Sequence, residues 1–162
     1  DQDIIQYARD EFKLLIGEKT AEDVKIAIGS AIATKGGGIM ESTIRGRDLI
    51  TGLPREITVT DADIREAIAK SIRSLANTIK EVIEETPPEL ISDIMHRGIT
   101  LVGGGSQLRG LPEYFTKETK IPVHIAEDPL TVVARGMGFI LENLEDFREI
   151  LIEHEDDIPP QY

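Results

Sequence analysis

The stretch ITLVGGGSQLRGL, residues 99–111, decides how the rest of the chain reads. Four residues with strand character run into three glycines, Gly103, Gly104 and Gly105. Ser106 follows, and then a helical pattern over 107–118. Glycine has no Cβ and tolerates positive φ, so such a junction lets a backbone lie close to a partner. The start of a helix adds free N–H groups and a partial positive charge. Strand, glycine loop and helix in that order make a recurrent nucleotide-binding arrangement. Two phosphate loops of this kind are excluded at defined positions. A Walker A loop needs Lys and Ser/Thr directly after its second glycine. Gly105 and Gly110 have the required separation, but Leu111 and Pro112 follow. The dinucleotide fingerprint needs a further glycine three residues past its second. Counted from Gly103 and Gly105, that position is Leu108. Taken alone, the triplet reads equally well as a tight turn with no ligand.

Downstream, strand 121–126 and helix 129–142 follow, with Pro129 expected in the first turn and Asp128 as its N-cap. Upstream, Pro88 opens a short helix to about Met95, closed by Arg97 and Gly98. Alternating strands and helices predict an α/β layer with a largely parallel sheet. Earlier still, Ile64, Ile68, Ile72, Leu75, Ile79 and Val82 form one stripe of a long helix. Thr60 and Asp63 supply its capping box. Residues 40–44 and 56–59 read as two strands. Thr20 with Asp23 predicts a second helix reaching about Ser30. A first helix carries Ile4, Ala8, Phe12 and Leu15, with Gly17 as its left-handed C-terminal residue. ATKGGGIM, residues 33–40, reads as a flexible loop. Gly136 and Gly138 are expected to pack a helix closely onto the sheet. The division that results is 1–17 with 86–150 as a sheet unit, 18–85 as a small α+β unit, and 151–162 as an acidic, disordered tail.

Composition removes several function classes. The 162 residues carry a net charge of −12, which would repel a phosphate backbone and argues against nucleic-acid binding. Few aromatics and no Trp leave no stacking platform for single strands. Without cysteine there are no disulfides or thiolate metal sites, which fits a reducing cytosol. His96, His124 and His154 are scattered without metal-ligand spacing. Glu127 and Asp128 are adjacent carboxylates in a turn, and such pairs are caps more often than acid–base catalysts. The chain opens inside a helical pattern without an initiator Met, and the expectation is a fragment.

TLVGGGSQLRGL followed by IPVHIAEDPLTVVARGMG resembles the C-terminal part of the bacterial actin homologue family of MreB and Mbl. IGEKTAEDVKIAIGSA, RGRDLITGLPREITVT and PPELISDIMHRGITLVGGG resemble the same family, in the right order, so the likeness covers residues 1 to about 150. It implies the second domain of an actin-like ATPase fold (ribonuclease H-like α/β), with an incomplete sheet subdomain and a small α+β outer subdomain. It implies that Gly103, Gly104, Gly105 and Ser106 line the adenosine side of an ATP/ADP cleft, with Glu22 and Lys25 facing ribose and adenine. Their spacing of three places both on one helical face, which by itself equally describes a surface ion pair. Arg109 fits the family's loop, either near the base or as a solvated helix-face arginine.

The same resemblance implies a complete protein that hydrolyses ATP, forms filaments with itself, and works with membrane-linked elongation proteins. Its place would be the cytoplasm, at the inner face of the cell membrane, where it directs cell-wall synthesis and rod shape. In that family phosphate and Mg²⁺ are held by hairpins earlier in the chain. Nothing here resembles their DIGGGT pattern, so no catalytic residue, no metal site and no direct membrane contact are expected from these residues. The expected turnover of ATP by this chain alone is weak or nil. A chaperone-like or sugar-kinase-like ATPase of the same superfamily, or a non-catalytic interaction module, are the alternatives.

Overall fold

The computed structural model describes residues 1–33, 36, 38–148 and 151. The first helix, α1 (Gln2–Phe12), buries Ile4 and Ala8. It ends sooner than its spacing predicts. Lys13 takes the left-handed conformation (φ 54°), and Leu14–Leu15 become a short strand, β1. Leu14 is fully buried there, a sheet position that helical spacing could not reveal. Gly17 is therefore not a left-handed cap. It is extended and starts α2 (Glu18–Ile28), accepting at its carbonyl from Ala21 N at 3.1 Å. Thr20 and Asp23 lie inside that helix, whose start has no side-chain cap. Ala21, Val24 and Ile28 are its buried face.

Strands β2 (Glu41–Asp48) and β3 (Pro54–Thr60) form an antiparallel hairpin longer than the sequence suggests. The reason is Asp48. Its carboxylate accepts from Ile50 N and Thr51 N at 2.8 Å each and from Arg55 at 3.0 Å. Those bonds, led by the two backbone donors, hold its pKa down from 3.8 to about 2. A turn anchored this way lets pairing run up to residue 48. β1 pairs antiparallel with β2, Leu14 opposite Asp48, giving the order β1-β2-β3.

Helix α3 (Asp61–Glu85) starts as the sequence predicts. Thr60 and Asp63 bond each other's backbone reciprocally, a device worth ~1 kcal/mol. Its stripe is shifted at the far half. Ile64, Ile68, Ile72 and Ala76 are buried, whereas Leu75 is 55% exposed and Val82 59%. Beyond Ile72 the row facing α1 and α5 passes through Ala76 and Ile79. Ile4, Leu14, Val59 and Ile64 are the largest of the fully buried side chains among the described residues. Each such aliphatic side chain contributes ~1.5–3 kcal/mol by leaving water.

Helix α4 (Pro88–Arg97) closes at Gly98 (φ 76°), and β4 (Ile99–Leu101) follows. β4 pairs in parallel with β5 (Val123–Ile125), Ile99 opposite Val123. The parallel layer expected from the β/α alternation is thus two strands wide among the described residues, beside the antiparallel sheet. The helix expected from 107 does not exist as one piece. Residues Gly104–Gln107 make a single 3₁₀ turn, and α5 (Leu111–Thr119) begins after Gly110 in the left-handed region (φ 73°). Pro112 explains this. Inside a helix begun at 107 it would remove a backbone bond and clash with the preceding turn, whereas the first turn of α5 tolerates it.

The last helix, α6 (Val132–Glu142), starts later than expected, with Thr131 rather than Asp128 at its N-cap. Asp128 adopts φ 48° and Pro129 stays in the turn. The Asp128 carboxylate accepts from Thr131 Oγ1. Gly136 and Gly138 are not packing points: an added Cβ would meet nothing within 4 Å at either. The expectation for 151–162 falls outside the described residues apart from Leu151, and so does Gly37 of the 33–40 loop.

Candidate functional site

The glycine loop is shaped by one residue that only glycine can be. Gly103 has φ 80° and ψ 170°, a region essentially closed to side chains. Its N–H donates to Pro129 O at 2.7 Å. Its carbonyl accepts from Ser106 N at 3.2 Å and from Ser106 Oγ at 2.6 Å. Ser106 is consequently buried, with its hydroxyl turned back into the loop. The 3₁₀ turn then presents Gly104 and Gly105 outward, and Leu130 from the turn before α6 lies over Gly104.

Opposite this loop stands α2. Between them is a cavity of about 500 Å³, lined by Glu22, Lys25, Ile26 and Gly29 on one side and by Gly104, Gly105, Gln107 and Leu108 on the other, with Arg109 and Leu130 at its edges. That volume falls within the ~300–1,000 Å³ of typical small-molecule sites. Of the seven residues expected from sequence, five come together on this cavity: Glu22, Lys25, Gly104, Gly105 and Arg109. Gly103 and Ser106 stand behind the wall and shape it.

The polar groups are poised rather than locked. Lys25 Nζ pairs with Asp1 at 2.8 Å. Glu22 accepts from Lys19 at 3.3 Å, and Lys19 also bonds Asp23 at 2.9 Å. These acceptors, Asp23 first, raise the Lys19 pKa. Surface pairs of this sort exchange readily for other partners because they contribute little. Ile26 (70% exposed) and Leu130 (67%) add apolar surface that the motif search misses. A signal for Ile26 exists in the sequence: it is an isoleucine off the Ala21–Val24–Ile28 face of α2. Leu130 has no such signal, since pairing of β4 with β5 and the Ala126–Leu101 and Gly103–Pro129 bonds, all non-local, bring it to the loop. Bare backbone, flanking apolar side chains and a carboxylate beside an ammonium suit a flat, partly apolar ligand that also carries hydroxyls. Among the described residues no cluster of His, Cys, Asp or Glu could hold a metal ion, and no helix is long and apolar enough to cross a membrane.

The fold has close counterparts among solved structures. MreB5 of Spiroplasma citri bound to ADP matches with a TM-score of 0.84 and 36% identity, over 91% of this chain and 44% of that one. The same protein bound to AMPPNP matches equally. A MamK double helical filament, 19% identical with a TM-score of 0.69, shares the fold alone. The chain therefore has the actin-like α/β fold. The family model described as MreB/Mbl protein matches residues 1–149. Among curated relatives, the cell shape-determining protein Mbl of Bacillus subtilis (strain 168) is 43% identical over 145 residues, 90% of this chain and 43% of that protein. MreB of Escherichia coli (strain K12) is 45% identical over 145 residues, 90% of this chain and 41% of that protein. The chain belongs to the MreB/Mbl family, and it spans less than half the length of these relatives.

Proposed function

We propose that this chain supplies the adenosine side of the nucleotide cleft in an actin-like cytoskeletal protein of the MreB/Mbl type. The observation that carries this is the cavity between α2 and the glycine loop, where Glu22 and Lys25 face Gly104 and Gly105. In this reading the ribose hydroxyls lie toward Glu22 and Lys25, and the base lies against the glycine backbone between Ile26 and Leu130. Gly103 and Ser106 hold the loop in shape. The nucleotide-bound states of MreB5 support an ADP- or ATP-type ligand. Bound ATP supplies the transferable phosphate, and this chain's own residues bind and orient its nucleoside end. The phosphates and Mg²⁺ belong to other parts of a complete protein. Self-assembly into filaments, association with membrane-linked elongation proteins, a place at the inner face of the cell membrane, and control of rod shape are proposed for that complete protein. The partition into a sheet unit (1–17 and 86–150) and a small outer unit (18–85) is part of the same proposal.

An amide-resolved NMR titration with ATP and with adenosine tests the ligand assignment. Both ligands should shift the amides of Ile26, Gly29, Gly104 and Gly105, with affinity weaker than micromolar because these residues grip the nucleoside end and not the phosphates. Absence of shifts at these amides at millimolar ligand would refute it. Shifts elsewhere only would refute it equally.

A further inference from the structure

Arg109 makes contacts that a ligand-facing arginine would not. Its backbone bridges in parallel to Ser30, and its carbonyl accepts from Ala31 N at 2.7 Å. Its guanidinium reaches across the same junction. Nε donates to Gly29 O at 3.1 Å, Nη2 donates to Ala27 O at 3.3 Å, and Nη1 meets Met40 Sδ. Ala27 lies in the last turn of α2, and Gly29 is its C-cap. Carbonyls at a helix end lack partners within the helix, and a cation there is favourable. One residue of the glycine-loop wall thus caps the helix that forms the opposite wall.

The surrounding fit leaves no slack. A Cβ on Gly29 would stand 3.1 Å from Leu108 Cδ1, and one on Gly110 would stand 2.4 Å from Ile32 Cγ1. From the other side, Arg65 Nη1 donates to Ser30 Oγ at 2.7 Å and to Asp61 at 3.0 Å. Residues 29–32 are held between two arginines, Arg65 on α3 and Arg109 beside the loop.

We propose that Arg109 is a positioning residue: it clasps the C-terminal end of α2 to the glycine-loop wall and so fixes the separation between Glu22–Lys25 and Gly104–Gly105. Each of its three guanidinium nitrogens donates to a protein group, which uses three of its five N–H bonds. Its influence on a ligand is indirect and, for affinity alone, rests on the nucleotide assignment above. A cleft that holds the right width for only a fraction of the time loses apparent affinity by that fraction.

The chain contains no cysteine, so Lys19→Cys on α2 and Lys117→Cys on α5 can carry two spin labels for pulsed electron resonance. The parent should give one narrow distance distribution. Arg109→Gln and Arg109→Lys should both broaden it at a temperature where each is folded. ATP affinity, read from the amide shifts of Gly104 and Gly105, should weaken about tenfold in both if the fitting width falls to roughly a tenth of the population. Lysine keeps the charge but loses the planar fork. Parent-like affinity in Arg109→Lys would overturn the clasp and assign the charge to the ligand. An unchanged distance distribution in both variants would overturn it whatever ATP does. If ATP shifts no amide of the parent, the nucleotide assignment falls, and the distance distribution still decides on the clasp. Should Arg109→Gln fail to fold, Arg109→Lys carries both measurements.

Discussion

Gly105→Ala separates a glycine kept for its ligand from one kept for the fold. Gly105 is outside the left-handed region, and a Cβ built on it meets nothing within 4 Å. The methyl therefore costs the folded state nothing by contact, and it removes freedom from the unfolded chain. Stability should stay within ~0.5 kcal/mol of the parent or rise by up to ~1 kcal/mol. The open space it enters is the cleft. A ligand lying against that backbone must move away or strain, by analogy with overpacked cores at ~1–3 kcal/mol. At about 1.4 kcal/mol per tenfold, ATP affinity should fall between about fivefold and 150-fold. Gly110→Ala is the opposite case. It combines φ 73° with a Cβ 2.4 Å from Ile32 Cγ1, so ~1–2 kcal/mol of backbone strain adds to ~1–3 kcal/mol of overpacking. Urea unfolding gives the stability of both variants, and the NMR titration gives their affinity. A Gly105→Ala chain that is as stable as the parent and binds ATP equally well would refute the close approach of ligand to this loop. A destabilised Gly105→Ala would refute the geometry.

Four further outcomes are expected. Ile64→Ala, at a fully buried position, should cost ~2–5 kcal/mol, and Leu75→Ala on the same predicted stripe under about 0.5 kcal/mol, both by urea denaturation. Thr60→Ala should cost ~1 kcal/mol through the lost capping box. The folded-state pKa of Asp48 is depressed, so its stabilising bonds are fully present above pH 3.8 and are lost as pH falls toward about 2. The stability gap between the parent and Asp48→Asn should therefore be flat above about pH 4 and shrink through that window; a gap that widened on acidification would contradict it. Glu22→Gln and Lys25→Met should each weaken ATP binding while leaving the melting temperature close to the parent's, since both side chains lie in surface ion pairs.

Much of this molecule was legible because local chemistry and tertiary structure agree. Thr60 with Asp63, Pro88 at a helix start, and Gly98 at a helix end work through bonds and dihedrals confined to a few residues, and all are found where the sequence puts them. Where the sequence misleads, a distant partner has decided. Leu15 has helical spacing from Phe12, yet its segment pairs with residues 47 and 48 and becomes a strand. Leu75 continues the apolar stripe yet is half exposed, because the row that packs on α1 and α5 passes through Ala76 instead. The Asp128–Pro129 pair reads as a helix start, but Pro129 O is bonded to Gly103 N, and the helix begins three residues later.

The candidate site divides in the same way. By itself the sequence determined that a strand runs into a glycine turn, and it ruled out the two phosphate motifs at Leu108 and Leu111, but the glycines alone left a ligand-free turn as open as a binding loop. Sequence similarity alone places the chain in its family. Only the tertiary structure decided which side each loop residue faces: Gly104 and Gly105 toward the cleft, Gly103 and Ser106 behind it, Arg109 across to the end of α2. Sequence fixes the backbone conformations a glycine permits, but which face of the loop meets the cleft depends on hydrogen bonds to residues up to 82 positions away, and no local pattern records those.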